Sequence, residues 1–189
     1  MVCWAAMALI LVASAGAQDD EARLREPVCG HHADPRGFSL DLPQGVCGQR
    51  YEHGLSILLS KKDAPVVRSI VVWAARNANF DARSSDIAAA EVSATASDTL
   101  VGVRVTRRAN TRVAGVPGVR WHYTFHSKAD AVDREAELVA VLRPLRPHPE
   151  WQDYYEYSMV LRSTPQEFGS DLKVFEQVLG TFAFGEPEM

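Results

Sequence analysis

The chain has 189 residues, 47% hydrophobic and 23% charged, with a formal net charge of −4 and a sequence pI near 5.9. This is the composition of an ordinary globular domain, and a chain of this length buries about 70% of its unfolded surface without help from metals. The mild acidic balance excludes the basic footprint of a nucleic-acid binder.

The chain opens on an apolar run, residues 5–15, too short to span a bilayer comfortably. Ala15-Gly16-Ala17 supplies a small-x-small cleavage pattern, and charge begins at Asp19. The expectation is an export signal over residues 1–17 and a periplasmic or secreted protein with no membrane span after cleavage; an uncleaved anchor is the alternative. A polar arm over 18–36 and one domain over 37–189 follow.

Beyond the signal only Cys29 and Cys47 remain. In an oxidising compartment an isolated pair is most simply a disulfide. A metal site built from Cys29, His31, His32 and Cys47 loses on spacing, because zinc signatures need paired ligands at both ends. No metal or other cofactor is expected.

Residues 37–43 alternate apolar and polar, with Phe38, Leu40 and Leu42 on one face, and form a strand ended by Pro43. Residues 44–54 read as a loop. Two strands follow, 55–60 and 66–75, joined through Lys61-Lys62-Asp63-Ala64-Pro65. The second is almost continuously apolar, as in a central strand covered on both faces. Ser84 or Ser85 caps a helix running to about Asp98, with a buried stripe of small residues around Ile87, Ala90 and Ala94 that would let it pack close to a sheet. Strands are expected at 100–108, where Val101, Val103 and Val105 alternate, and at 151–163, where Tyr155, Tyr157, Met159 and Leu161 do. Thr164-Pro165-Gln166-Glu167 has the form of a capping box. Phe168, Leu172, Phe175 and Leu179 then mark one helical face, Gly180 a stop, and 181–184 an edge strand.

Between them, residues 113–143 read as a Gly/Pro turn, an aromatic strand and a returning aliphatic strand. Val119, Trp121, Tyr123 and Phe125 alternate onto one face. The apolar pattern sets Phe125 against Ala136, Tyr123 against Leu138 and Trp121 against Ala140, with His126 against Glu135, Thr124 against Glu137 and His122 against Val139 behind them. The whole is an α+β domain, an antiparallel sheet of about six to seven strands sandwiched by helices.

Three stretches resemble the Mog1/PsbP-like superfamily, including its periplasmic DcrB-like members. They are Gly37-Phe38-Ser39-Leu40-Asp41-Leu42-Pro43-Gln44-Gly45, Ala114-Gly115-Val116-Pro117-Gly118 leading into the aromatic strand, and the closing helix with Phe175, Val178 and Leu179 before Thr181-Phe182-Ala183-Phe184. The resemblance implies a helix-sandwiched sheet and binding or assembly roles without catalysis.

No Gly-rich phosphate loop, Gly-x-Ser-x-Gly, His-Glu-x-x-His or Cys-x-x-Cys is present. His122 and His126 would share a helical face, but on a strand they stand about 13 Å apart, too far to chelate one ion. The candidate binding residues are therefore the polar face His122, His126, Glu135 and Glu137, and a rim of Trp151 and Tyr154. The expected function is an exported, non-enzymatic binding or interaction module of the bacterial envelope, with an envelope protein or small ligand as partner. A secreted hydrolase using His122, His126 and neighbouring carboxylates is the alternative, and an inhibitor or immunity-type protein a third.

Overall fold

The computed structural model describes residues 27–60, 66–77, 83–95, 100–128, 130–144 and 154–187. The expected signal segment, the connection 61–65 and Trp151 lie outside them. In chain order the elements are β1 (Pro27–Cys29), β2 (His31–Asp34), β3 (Phe38–Asp41), β4 (Cys47–Tyr51), β5 (Gly54–Leu58), β6 (Ser69–Asn77), α1 (Ser84–Thr95), β7 (Leu100–Val113), β8 (Val116–Ser127), β9 (Val132–Pro144), β10 (Tyr154–Ser163), α2 (Phe168–Thr181) and β11 (Ala183–Phe184).

The fold is α+β. A fully antiparallel sheet of eight strands runs in the order β1-β4-β5-β6-β10-β9-β8-β7, and β11-β3-β2 make a smaller sheet. The strand count exceeds the expected six to seven because β1, β2 and β4 fall in segments read as an arm and a loop. These strands are short and lack an apolar alternation. Cys29 faces Cys47 in the β1–β4 ladder, with Cα atoms 4.5 Å apart, and the disulfide fastens this edge.

Helix α2 and the small sheet cover one face of the large sheet. Phe175 and Val178 meet Ile70, Val72, Tyr157, Met159 and Leu161 there, and Phe38 stacks on Phe182 at 5.5 Å. Full burial of side chains such as Phe175 contributes roughly 1.5–3 kcal/mol each. Helix α1 lies on the opposite face, where Ile87 and Ala88 pack on Trp121, Tyr123, Leu138 and Val160. It covers β7, β8, β9 and β10 and leaves β6 beside it uncovered on this face. Strand β6 is central in order, as expected, but it is fully covered on one side alone: Ile70, Val72 and Ala74 are buried, whereas Val71 and Trp73, facing the α1 side, are half-buried.

Both helix starts differ from expectation. The side chain of Asp86 accepts a hydrogen bond from the Arg83 N–H (2.8 Å), while Ser84 Oγ accepts one from Leu142 N–H (3.2 Å) and ties α1 to β9. Thr164 closes a turn through its carbonyl, accepting from Phe168 N–H at 2.9 Å, and α2 begins only after it. Glu167 makes no side-chain cap; it reaches Arg68 instead, at 3.2 Å. Gly180 lies inside the last turn, and Phe182, in extended conformation, ends the helix.

The β7–β8 hairpin turns on Ala114 and Gly115, with φ of 46° and 83°. Two positive-φ residues in a two-residue loop match the twist of the flanking strands. Pro117 lies beyond Gly118↔Val141, the last β8–β9 pair, so its missing N–H removes no bond from that ladder. Gly118 is required by close approach, since a Cβ there would stand 2.6 Å from the Ala140 carbonyl. Strand β7 forms the outer edge, with register shifts between Val101 and Arg104 and between Val105 and Arg107. It carries Arg104, Arg107, Arg108 and Arg112, all exposed; Arg108 covers the Trp121 ring at 4.5 Å and Arg112 donates to the Gly115 carbonyl at 2.8 Å.

Candidate functional site

Strands β8 and β9 pair Trp121 with Leu138, Tyr123 with Ala136 and Phe125 with Arg134. The expected register is thus two residues out. The faces are as expected, because a two-residue shift returns each side chain to its own side, but the polar partners change. His126 stands across from Asp133, with Nδ1 2.8 Å from Oδ1, and Glu135 lies 3.5 Å from Nε2 of His122. Arg134 tolerates a buried position opposite Phe125 because its guanidinium leads out to the Asp130 carboxylate and donates to the Val67 carbonyl.

Glu137 is not an open ligand position. It is 0% exposed, and its Oε1 accepts from Arg107 Nη2 (2.9 Å) and from Arg120 Nε. Arg120 passes the link to α2 by donating to Glu176 at 2.5 Å. Burial works against the Arg120 charge, but its bonds to Glu176 and Glu137 outweigh that and raise its pKa. The group is an electrostatic rivet between sheet and helix.

His122 sits in a hydroxyl–imidazole–carboxylate chain that the sequence did not announce. Thr106 Oγ1 is 2.5 Å from its Nδ1 and 3.2 Å from its carbonyl oxygen, Glu135 flanks Nε2, and the Phe168 ring packs edge-on at 5.1 Å. A hydroxyl carries one hydrogen, so Thr106 donates either to the carbonyl or to the ring, never to both. Thr106 comes into reach at the register shift between Val105 and Arg107, where it has no ladder partner of its own. Beside this chain a hollow of about 310 Å³ is lined by Thr124, His126, Asp133, Glu135 and Pro165.

The other expected residues do not join this group. Tyr154 opens β10 against Asn77 and Pro144, at the opposite end from Ser163, which pairs with Glu135. Trp151 falls outside the described residues. His31 binds Asp41 at 2.7 Å, His32 is buried beside Asp34, and among the described residues no three His, Cys, Asp or Glu side chains converge on a metal-sized point.

A cleft of about 380 Å³ lies elsewhere, between α1 and the β6–β10 part of the sheet. Val71, Trp73 and Val160 form its floor, and Ala90 and Ala94 its helical wall. Those alanines were expected to bring α1 close to the sheet; they are exposed and leave space. Asp86, Glu91 and Glu156 supply carboxylates, and Glu91 also holds Arg162 at 2.9 Å. Tyr51 closes one end, donating to the Val72 carbonyl at 3.1 Å; burial, helped by Glu91, pushes its phenol up to about 12.

The chain is similar in structure to LpqN of Mycobacterium tuberculosis, a protein involved in cell envelope biogenesis, with a TM-score of 0.58 and 12% identity over 90% of this chain and 96% of that one. It is similar to the cyanobacterial PsbP of Synechocystis, with a TM-score of 0.56 and 12% identity over 82% and 91%. A Pseudomonas aeruginosa protein of unknown function gives 0.51 and 18% identity over 85% and 99%. No protein-family profile matches the sequence, and no curated protein sequence matches it significantly. The fold is therefore the Mog1/PsbP-like one.

Proposed function

We propose that this chain is an exported, non-enzymatic binding module of the bacterial cell envelope, and that the cleft beneath α1 is its ligand site. The observation that carries the reading is the half-covered sheet: α1 leaves Val71 and Trp73 half-exposed as an apolar floor, with the carboxylates of Asp86, Glu91 and Glu156 in the lining. Such a concave apolar surface with a few polar groups is the usual form of a small-ligand site. The disulfide suits an oxidising compartment, and the likeness to LpqN suits the envelope.

The test expresses the chain with its own leader and recovers it from the periplasmic fraction. The expected protein starts at Gln18, and native mass spectrometry finds a small molecule bound that Ala90→Trp displaces. A full-length chain in the cytoplasm overturns export, and a ligand indifferent to Ala90→Trp overturns the site.

The second reading, a hydrolase, rests on the Thr106–His122–Glu135 chain, whose order of groups is that of an acyl-transfer triad. Ester turnover abolished by both Thr106→Val and His122→Gln would favour it over the first; turnover untouched by both removes it.

A further inference from the structure

The disulfide lies in the open. Cys29 and Cys47 are both exposed and face each other directly across the β1–β4 ladder. Val28 packs against the core under α2, so its neighbour Cys29, and Cys47 across from it, stand on the other face of the sheet. Helix α1 lies over β7 to β10, at the far half of that face. A hollow of about 330 Å³ opens beside Cys47, lined also by Pro27, Gly48, Gln49, Ser56 and Leu58, and Cys29 is not part of the lining. Gly48 pairs with Ile57, so Cys47 and Leu58 come next on the two strands, and Leu58 is 50% exposed. No described residue of the lining carries a charge.

Apart from the disulfide, β1 is lightly held. It is three residues long, and of these Val28 alone meets the apolar core, only partly buried. Breaking the bond frees one short edge and leaves α2 packed on β6 and β10. Exchange with an outside thiol depends on access to the sulfur, and exposed disulfides are the labile ones.

We propose that Cys47 is a thiol-capture site: a small thiol with an uncharged, apolar body enters the hollow, lays that body on Leu58 and forms a mixed disulfide with Cys47. The incoming thiolate attacks the Cys47 sulfur and a new S–S bond forms. The Cys29–Cys47 bond breaks, and its electron pair leaves with the Cys29 sulfur, which takes a proton from water. The incoming sulfur is oxidised and Cys29 is reduced, so no further oxidant is needed. An anionic thiol meets no counter-charge in the lining and gains little from Leu58. The site does not depend on the α1 cleft being a ligand site.

The test exposes the purified, oxidised protein to benzyl mercaptan and to mercaptoethanesulfonate, each rate divided by that thiol's rate with free cystine. An alkylating agent then caps the Cys29 thiol, and peptide mass mapping locates the adduct. Benzyl mercaptan is expected to react about tenfold faster after this correction, the gain from covering about two methylene groups' worth of apolar surface. Its adduct should sit on Cys47 while the amides of β6 stay protected from hydrogen exchange. Leu58→Ser should remove most of the preference and leave the rate with mercaptoethanesulfonate unchanged. Adducts shared equally between the two cysteines, equal corrected rates, or a preference that survives Leu58→Ser overturn the proposal. So does exchange that occurs only when denaturant unfolds the protein.

Discussion

Arg68 is gripped by both carboxylate oxygens of Asp171, at 2.9 and 3.0 Å, across the seam between the start of β6 and the first turn of α2. Asp171 is nearly buried and accepts a further bond from Ser163 Oγ at 2.5 Å; Arg68 also donates to the Leu59 carbonyl. Removing one member of such a pair strands the other. Asp171→Ala should cost about 3–5 kcal/mol in urea unfolding, and Arg68→Ala a comparable amount. The double variant should cost clearly less than the sum, because neither charge is then left alone. Additive losses would show that the pair is not coupled.

The two arginines on Glu137 should differ in weight. Arg107 has a side chain 59% exposed, whereas Arg120 is 21% exposed and also reaches Glu176. Arg107→Ala should cost under about 1 kcal/mol, as solvated pairs do, and Arg120→Ala about 3 kcal/mol or more. Thermal unfolding of the two variants decides it, and the reverse order would refute the rivet.

Asp34 gives the fold an acid-sensitive contact. Burial alone would raise its pKa, but the His32 imidazole 3.5 Å away and hydrogen bonds from the Arg36 N–H and the Arg36 guanidinium hold it below the usual carboxylate range. A carboxylate depressed on folding contributes its stability fully above its unfolded pKa of about 3.9 and loses it as pH falls through the lower folded value. Asp34→Asn should therefore be less stable than the parent at neutral pH and converge with it at the acid end. A gap that persists at the lowest pH would assign the loss to packing instead.

The Cys29–Cys47 link spans a sequence separation of 18. In the chain-entropy model its loss costs about 3 kcal/mol. The paired change Cys29→Ser with Cys47→Ser should lower stability by that order, and hydrogen exchange should show β1 and β4 opening before β6. Alkylation of two thiols in the purified protein without prior reduction would remove the disulfide.

Faces were legible in this sequence and partners were not. The alternation of Trp121, Tyr123 and Phe125 fixes which side of β8 is buried, and Phe175 with Val178 marks the inner stripe of α2. A period of two looks the same after a two-residue slip, so only the turn, where Ser127 pairs with Val132, could tell His126 from His122 as the neighbour of Glu135. Thr106 enters the site through a register shift that leaves no apolar signature. The cleft was hidden for another reason. A stripe such as Ala90 and Ala94 reads equally as close packing or as vacancy, and only the placement of α1 over β7–β10 chooses vacancy.

The outer edge of β7 has a consequence for crowded conditions. An edge strand of 14 residues is long enough to recruit another chain into the sheet. Here two register shifts break its row of backbone groups, and Arg104, Arg107, Arg108 and Arg112 surround it with like charge. A second copy approaching edge to edge would bring its own four arginines against these. The opposite edge is the three-residue β1, stapled by its disulfide. The molecule thus carries its own protection against polymerising through its sheet, built from charge and irregularity at one border and from brevity at the other.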